Sequence, residues 1–141
     1  MTNILLWVVV AIVLISGALA IWLRTVTIPP EMHRTADLPD SGREQTDGSF
    51  FTTRRPADPA AALRDLADVI EDTPRTARLA GSVDEGHVSY VTRSRVMGFP
   101  DVTNLWREGD VVAIRGHLIF GKGDMGVNKR RIEGWLTRAG L

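Results

Sequence analysis

An α+β domain carried on an N-terminal transmembrane helix is the architecture this sequence predicts, and three observations predict it. Residues 1–23 contain no charged side chain. After Pro74 apolar residues alternate with a period of two, and on either side of that region they recur at three and four positions. The order is therefore helix, four strands, helix (α-β-β-β-β-α). The connections between strands are too short for a parallel crossover, which needs a dozen residues or more, so neighbouring strands are expected to be antiparallel. Two helices with apolar stripes and a sheet with one strongly apolar face pack most economically as two layers, both helices on that face. The expected organisation is a transmembrane anchor (1–24), a linker or irregular arm (25–55) and a small α+β domain (56–141) built on a four-stranded antiparallel sheet.

The run from Ile4 to Leu23 is long enough to cross a hydrocarbon core of roughly 30 Å as a helix. Trp7 and Trp22 stand near its ends, where amphipathic rings favour the membrane interface, and Arg24 closes it. A cleaved signal peptide is the rival reading, since Ala18-Leu19-Ala20 fits a cleavage pattern. Against it, no positive region precedes the run, and the apolar residues continue through Leu23. A single-pass anchor is expected. Arg24 and Arg34 follow the span and no Lys or Arg precedes it, which favours a cytoplasmic domain, but a three-residue flank leaves the side undecided.

The arm is marked by Pro29-Pro30, Pro39, Ser41-Gly42 and Asp47-Gly48, with Phe50-Phe51 as the point where it touches the domain. His33 lies within it and is expected to be solvated, without a role. Asp58-Pro59 opens the first domain helix: the carboxylate accepts from orphan amide donors, and proline at the first position forfeits no bond. Leu63, Leu66, Ala67 and Ile70 form its stripe, and Thr73-Pro74 ends it. Four strands are expected at 75–83, 87–97, 102–107 and 111–120, divided by turn residues. In the last of them Val112, Ile114, Leu118 and Phe120 face the core, while Arg115 and His117 point to water or a partner, a polar face that Arg93 and Arg95 extend. Val127, Ile132, Trp135, Leu136 and Ala139 give the closing helix, with Asp124 or Asn128 as N-cap. The first helix is acidic and the last basic, so the two are expected to pair by charge.

Composition narrows the chemistry. Without cysteine there are no disulfides, thiolate zinc sites or cysteine nucleophiles. Seventeen basic against 17 acidic residues argue against a basic nucleic-acid binder. Gly121, Gly123 and Gly126 have G-x-G-x-x-G spacing, but a dinucleotide site needs a second parallel strand with an acidic residue about 20 positions further on. Here the preceding strands are joined by hairpins, and only residues 127–141 follow. A Walker loop fails as well, because Gly121-Lys122 is followed by Gly123. No nucleotide is expected; the glycines, with Asp124 and Asn128, are read as a structural turn and cap. Lys129, Arg130 and Arg131 near that helix start oppose the macrodipole by roughly 0.3–1 kcal/mol each if they lie in its first turn. An anionic partner, the acidic helix or solvent would relieve them. His87, His117, Asp101, Asp124 and Ser94 offer polar chemistry, yet neither a nucleophile elbow nor an H-E-x-x-H spacing surrounds them, so no catalytic residue, metal or cofactor is assigned. Tyr90, Trp106 and Trp135 are expected in the core or at its rim.

Two stretches, YVTRSRVMGFPDVTNL (90–105) and FGKGDMGVNKRRIEGWL (120–136), resemble the best marked parts of a bacterial family, domain of unknown function 1499. The likeness covers residues 56–141. Arg93-Ser94-Arg95, Phe99-Pro100-Asp101, Gly121, Asp124, Gly126, Val127 and Asn128 match the family pattern; Gly123 replaces a serine, Met125 a leucine, and His117-Leu118-Ile119 an R-S-R run. The resemblance implies a bacterial protein and carries no catalytic role; with the apolar run at residues 1–23, the bacterial inner membrane is the expected location. The expected function is a non-enzymatic, envelope-associated binding or structural module, with an anionic ligand or lipid head group at Arg93, Arg95, Arg115 and Lys122. The alternatives are a hydrolase or transferase using His117 and Asp124, and a scaffold for an envelope protein partner through a sheet edge or the helical layer.

Overall fold

The computed structural model describes residues 2–141. Helix α1 (Thr2–Thr25) is apolar on all sides and projects from the rest of the chain, its side chains from Ile4 to Trp22 largely exposed. At 1.5 Å per residue its 24 residues extend about 36 Å, so it is long and apolar enough to cross a membrane.

The remainder is α+β, and its antiparallel sheet has six strands where the sequence predicts four. They are β1 (Arg43–Thr46), β2 (Ser49–Arg54), β3 (Thr76–Ser82), β4 (His87–Arg93), β5 (Pro100–Glu108) and β6 (Val111–Leu118), in the order β1-β2-β6-β5-β4-β3. Both additional strands lie in the stretch expected to be irregular. Asp47-Gly48 is their two-residue hairpin turn, flanked by the pair Thr46 and Ser49. β2 then pairs with β6 from Ser49 opposite His117 to Arg54 opposite Val112, which converts an edge of the expected meander into an interior position.

Helices α2 (Pro59–Glu71) and α3 (Val127–Arg138) cover one face, as predicted. Asp58 caps α2, its Oδ1 accepting from the amides of Ala60 at 3.1 Å and Ala61 at 2.9 Å. Leu63, Leu66 and Ile70 from α2 meet Ile132, Trp135 and Leu136 from α3 over Phe50, Val88, Tyr90, Leu105 and Ile114 of the sheet. One ion pair, Arg138 to Asp72 at 3.1 Å, joins the acidic and basic helices.

The sequence predicts that the opposite face, which bears Arg115 and His117, meets water or a partner; the chain itself covers it instead. Residues 26–38 lie across it. Val26, Ile28 and Met32 pack on Val91 and Val102, and Ala36 and Leu38 pack on Phe51, Trp106 and Ala113. Packing begins at the first residue after α1, so no slack separates the apolar helix from the sheet.

Candidate functional site

The join between α1 and the sheet is a clamp built from two arginines. The carbonyls of a helix's last turn have no partner within the helix. Arg93, at the end of β4, donates to the carbonyls of Leu23 and Val26, the latter at 2.8 Å. A cation there also complements the negative end of the helix dipole. Burial pulls the Arg93 guanidinium below its ordinary pKa, a cost offset by these two bonds. In return Arg24, from α1, donates to the carbonyls of Val96 and Met97 in the β4–β5 loop. Ser94 shapes that loop: its Oγ accepts from the amides of Gly98 at 3.1 Å and Phe99 at 2.9 Å.

Beside the clamp, the β4–β5 loop and the segment joining β6 to α3 enclose a cleft of about 440 Å³, within the roughly 300–1,000 Å³ typical of ligand pockets. Phe99, Leu118, Phe120 and Val127 supply an apolar lining. Phe120 also touches Trp22 of α1, ring centroids 5.5 Å apart. The cleft wall includes Asp101 and Arg131, paired at 3.0 Å with side chains 13% and 16% exposed. Burial pushes the Asp101 carboxyl up from its ordinary pKa, against the pull of Arg131.

The glycine-rich segment forms the other wall as a strand-to-helix turn. Gly126 occupies the N-cap position of α3, with φ 75°, but Asp124 does the capping from two residues earlier. Its carboxylate accepts from the amide of Gly126 and from the amide and Nδ2 of Asn128, each at 2.8 Å. Burial acts to raise its pKa; these donors and Arg131 overcome that and hold it below the ordinary carboxylate value. Asn128 is fully buried beneath β6. A Cβ at Gly116 would lie 2.7 Å from its Oδ1, which is why a glycine interrupts that strand. The cations near the helix start are largely occupied: Arg131 on Asp101 and Asn128, and Arg130 on the carbonyl of Met125 at 2.9 Å.

Of the four basic residues expected to bind a ligand, Arg93 is engaged with α1. Arg95 and Lys122 are exposed on the two loops beside the cleft, and Arg115 lies on the arm-covered face, opposite Phe51 and Asn104. Gly121 and Gly123 line the cleft with Asp124. His117 and Asp124 are not brought together. His117 points to the arm-covered face with both ring nitrogens buried and unpartnered, whereas Asp124 is bonded to the start of α3 on the other side. Burial, then Arg115 and Arg34, pull the His117 imidazole down to about 4.

Sequence reasoning missed a polar cluster that seats the arm. His33 is half-buried, its Nδ1 2.6 Å from the hydroxyl of Ser89, and its ring stacks on His87 at 3.9 Å. Ser89 donates to Asn104 Oδ1 at 2.5 Å, which also accepts from the amide of Arg34 at 3.1 Å. Burial and then the neighbouring His33 pull His87 below its ordinary value. Ser89 and Asn104 are enclosed, and this serine ties down the arm. All three histidines of the chain therefore lie where the arm meets the sheet. Among the described residues no group of three His, Cys, Asp or Glu side chains is placed to hold a metal.

No curated protein matches this chain. The family described as protein of unknown function (DUF1499) matches over residues 26–138, a span that takes in the arm and the first two strands as well as the stretches that carry the resemblance. The chain belongs to the DUF1499 family.

Proposed function

We propose that this protein is a non-enzymatic, lipid-binding module held on the bacterial inner membrane by a single transmembrane pass. Its cleft receives an amphiphile with an anionic head group. The observation that carries the reading is the position of the cleft. The clamp of Arg93 on α1 and Arg24 on the β4–β5 loop, with Phe120 against Trp22, sets an apolar-lined cavity at the end of a helix long enough to cross a membrane. There the apolar part of a lipid lies against Phe99, Leu118 and Phe120, and its head group meets Arg95 and Lys122 on the flanking loops.

The test titrates the full-length chain in detergent with short-chain phosphatidylglycerol and with phosphatidylcholine, following Trp fluorescence and intact-complex mass. Saturable binding is expected, tighter for the anionic lipid and weakened by salt. Arg95→Ala with Lys122→Ala removes the preference and leaves the uptake of neutral lipid. Equal, non-saturating uptake of both lipids would overturn the reading.

A further inference from the structure

Outside α1, the exposed large apolar side chains among the described residues are Val96, Phe99, Phe120 and Met125. All four lie on the two loops at the base of α1, and none at the far end of the sheet. Met125 is 90% exposed and Val96 77%. A monomeric soluble surface scatters such residues; gathered at one end, they mark a surface that meets something apolar. Met125 also adopts a left-handed φ of 51°, a conformation uncommon for residues other than glycine. The Asp124 turn holds this strained residue with its side chain outward, so the exposure is built into the fold.

We propose that these two loops insert into the bilayer around the exit of α1, giving the domain a second, peripheral contact with the membrane; the inference rests on α1 spanning it. Continuity with α1 identifies the partner. Phe120 packs on Trp22, an aromatic at the interfacial end of the apolar run, and the backbone of Val96 and Met97 is bonded to Arg24. The loops therefore sit at the depth where the span ends. The arm packs on the sheet from Val26 onward and Arg93 holds the carbonyl of that residue, so the domain has no tether on which to swing away. Arg95 and Lys122 alternate with the apolar residues on the same loops, the pattern of a surface seated among anionic head groups.

The chain has no cysteine, so each introduced one carries a unique label. The experiment places a spin label at Val96→Cys, Met125→Cys, Glu108→Cys and Val13→Cys in the full-length protein. Each variant is reconstituted into vesicles of equal parts phosphatidylethanolamine and phosphatidylglycerol. Collision with oxygen, which partitions into lipid, is compared with collision with a water-soluble nickel chelate. Positions 96 and 125 are expected to favour oxygen several-fold, as position 13 does, and position 108, the last residue of β5 at the far end, to favour the chelate. Labels at 96 and 125 that behave like 108, or that are shielded from both reagents by a second protein copy, would overturn the inference while 13 remains in lipid. A water-exposed 13 would overturn the anchor itself.

Discussion

Acidification should loosen the arm, and His117 sets most of the scale. Its imidazole sits at about 4 in the folded protein against an ordinary 6.5, because charging it would leave a cation buried beside Arg115 and Arg34. A depressed histidine means that the unfolded chain takes up the proton first, so stability is complete above pH 6.5, falls as pH drops below that value, and stops falling near 4. The difference between 6.5 and about 4 amounts to about 3 kcal/mol between those limits, an upper figure because the ring is partly open to solvent screening. His87, also pulled down, adds loss of the same sign. The raised Asp101 acts oppositely, since its stability cost is relieved as pH falls through its folded value. The perturbation is His117→Phe, which keeps a ring in the space and removes the proton. The assay is denaturant unfolding of the full-length chain in detergent, followed by Trp fluorescence between pH 7.5 and 4. The wild-type stability should drop across this window and the variant should lose most of that dependence. Parallel curves for the two proteins would refute the reasoning.

Three further substitutions test the packing beside the cleft. Gly116→Ala places a methyl 2.7 Å from Asn128 Oδ1 and 3.0 Å from Ile132 Cδ1; the overpacking should lower stability by about 1–3 kcal/mol, read as a lower denaturant midpoint with an unchanged slope. Arg131→Met alone should cost about 3 kcal/mol, because it leaves Asp101 buried and unpaired. Adding Asp101→Leu should recover most of that loss in a double-mutant cycle.

Local chemistry made some elements legible and long-range assembly hid others. Asp58-Pro59 announced α2 because a cap and an N1 proline act within one turn. β6 was legible in Val112 and Ile114, which face the helices while Ala113 and Arg115 face away, but the strand ends at Leu118, so Phe120, expected to face the core, is exposed on the loop beyond it. β2 was not, since it is buried on both faces: Phe50 joins the helix-side core and its neighbour Phe51 the arm-side cluster, which erases alternation. β1 offers no apolar residue at all, and its four side chains are exposed. Asp47-Gly48 was the available signal for both strands, a two-residue hairpin turn. The arm's anchors, Val26, Ile28, Met32, Ala36 and Leu38, follow no period because an irregular chain places them. The cleft joins Phe99 to Phe120 and Asp101 to Arg131 across sequence, and no pattern along the chain records that meeting. The turn at Gly121–Asn128 was legible as a turn and cap, although its capping group stands two residues before the N-cap position.

The shape of β1 bears on crowding. Molecules fixed to one plane by a membrane helix share a height and an orientation, so their open sheet borders face one another sideways far more often than those of freely tumbling proteins. At this border the terminal strand is only four residues long, Arg43-Glu44-Gln45-Thr46, with both signs of charge and every side chain in solvent. A strip so short and so charged is a poor template for another strand. Copies anchored through α1, as proposed above, can therefore collide laterally at high density without zipping into a continuous ribbon.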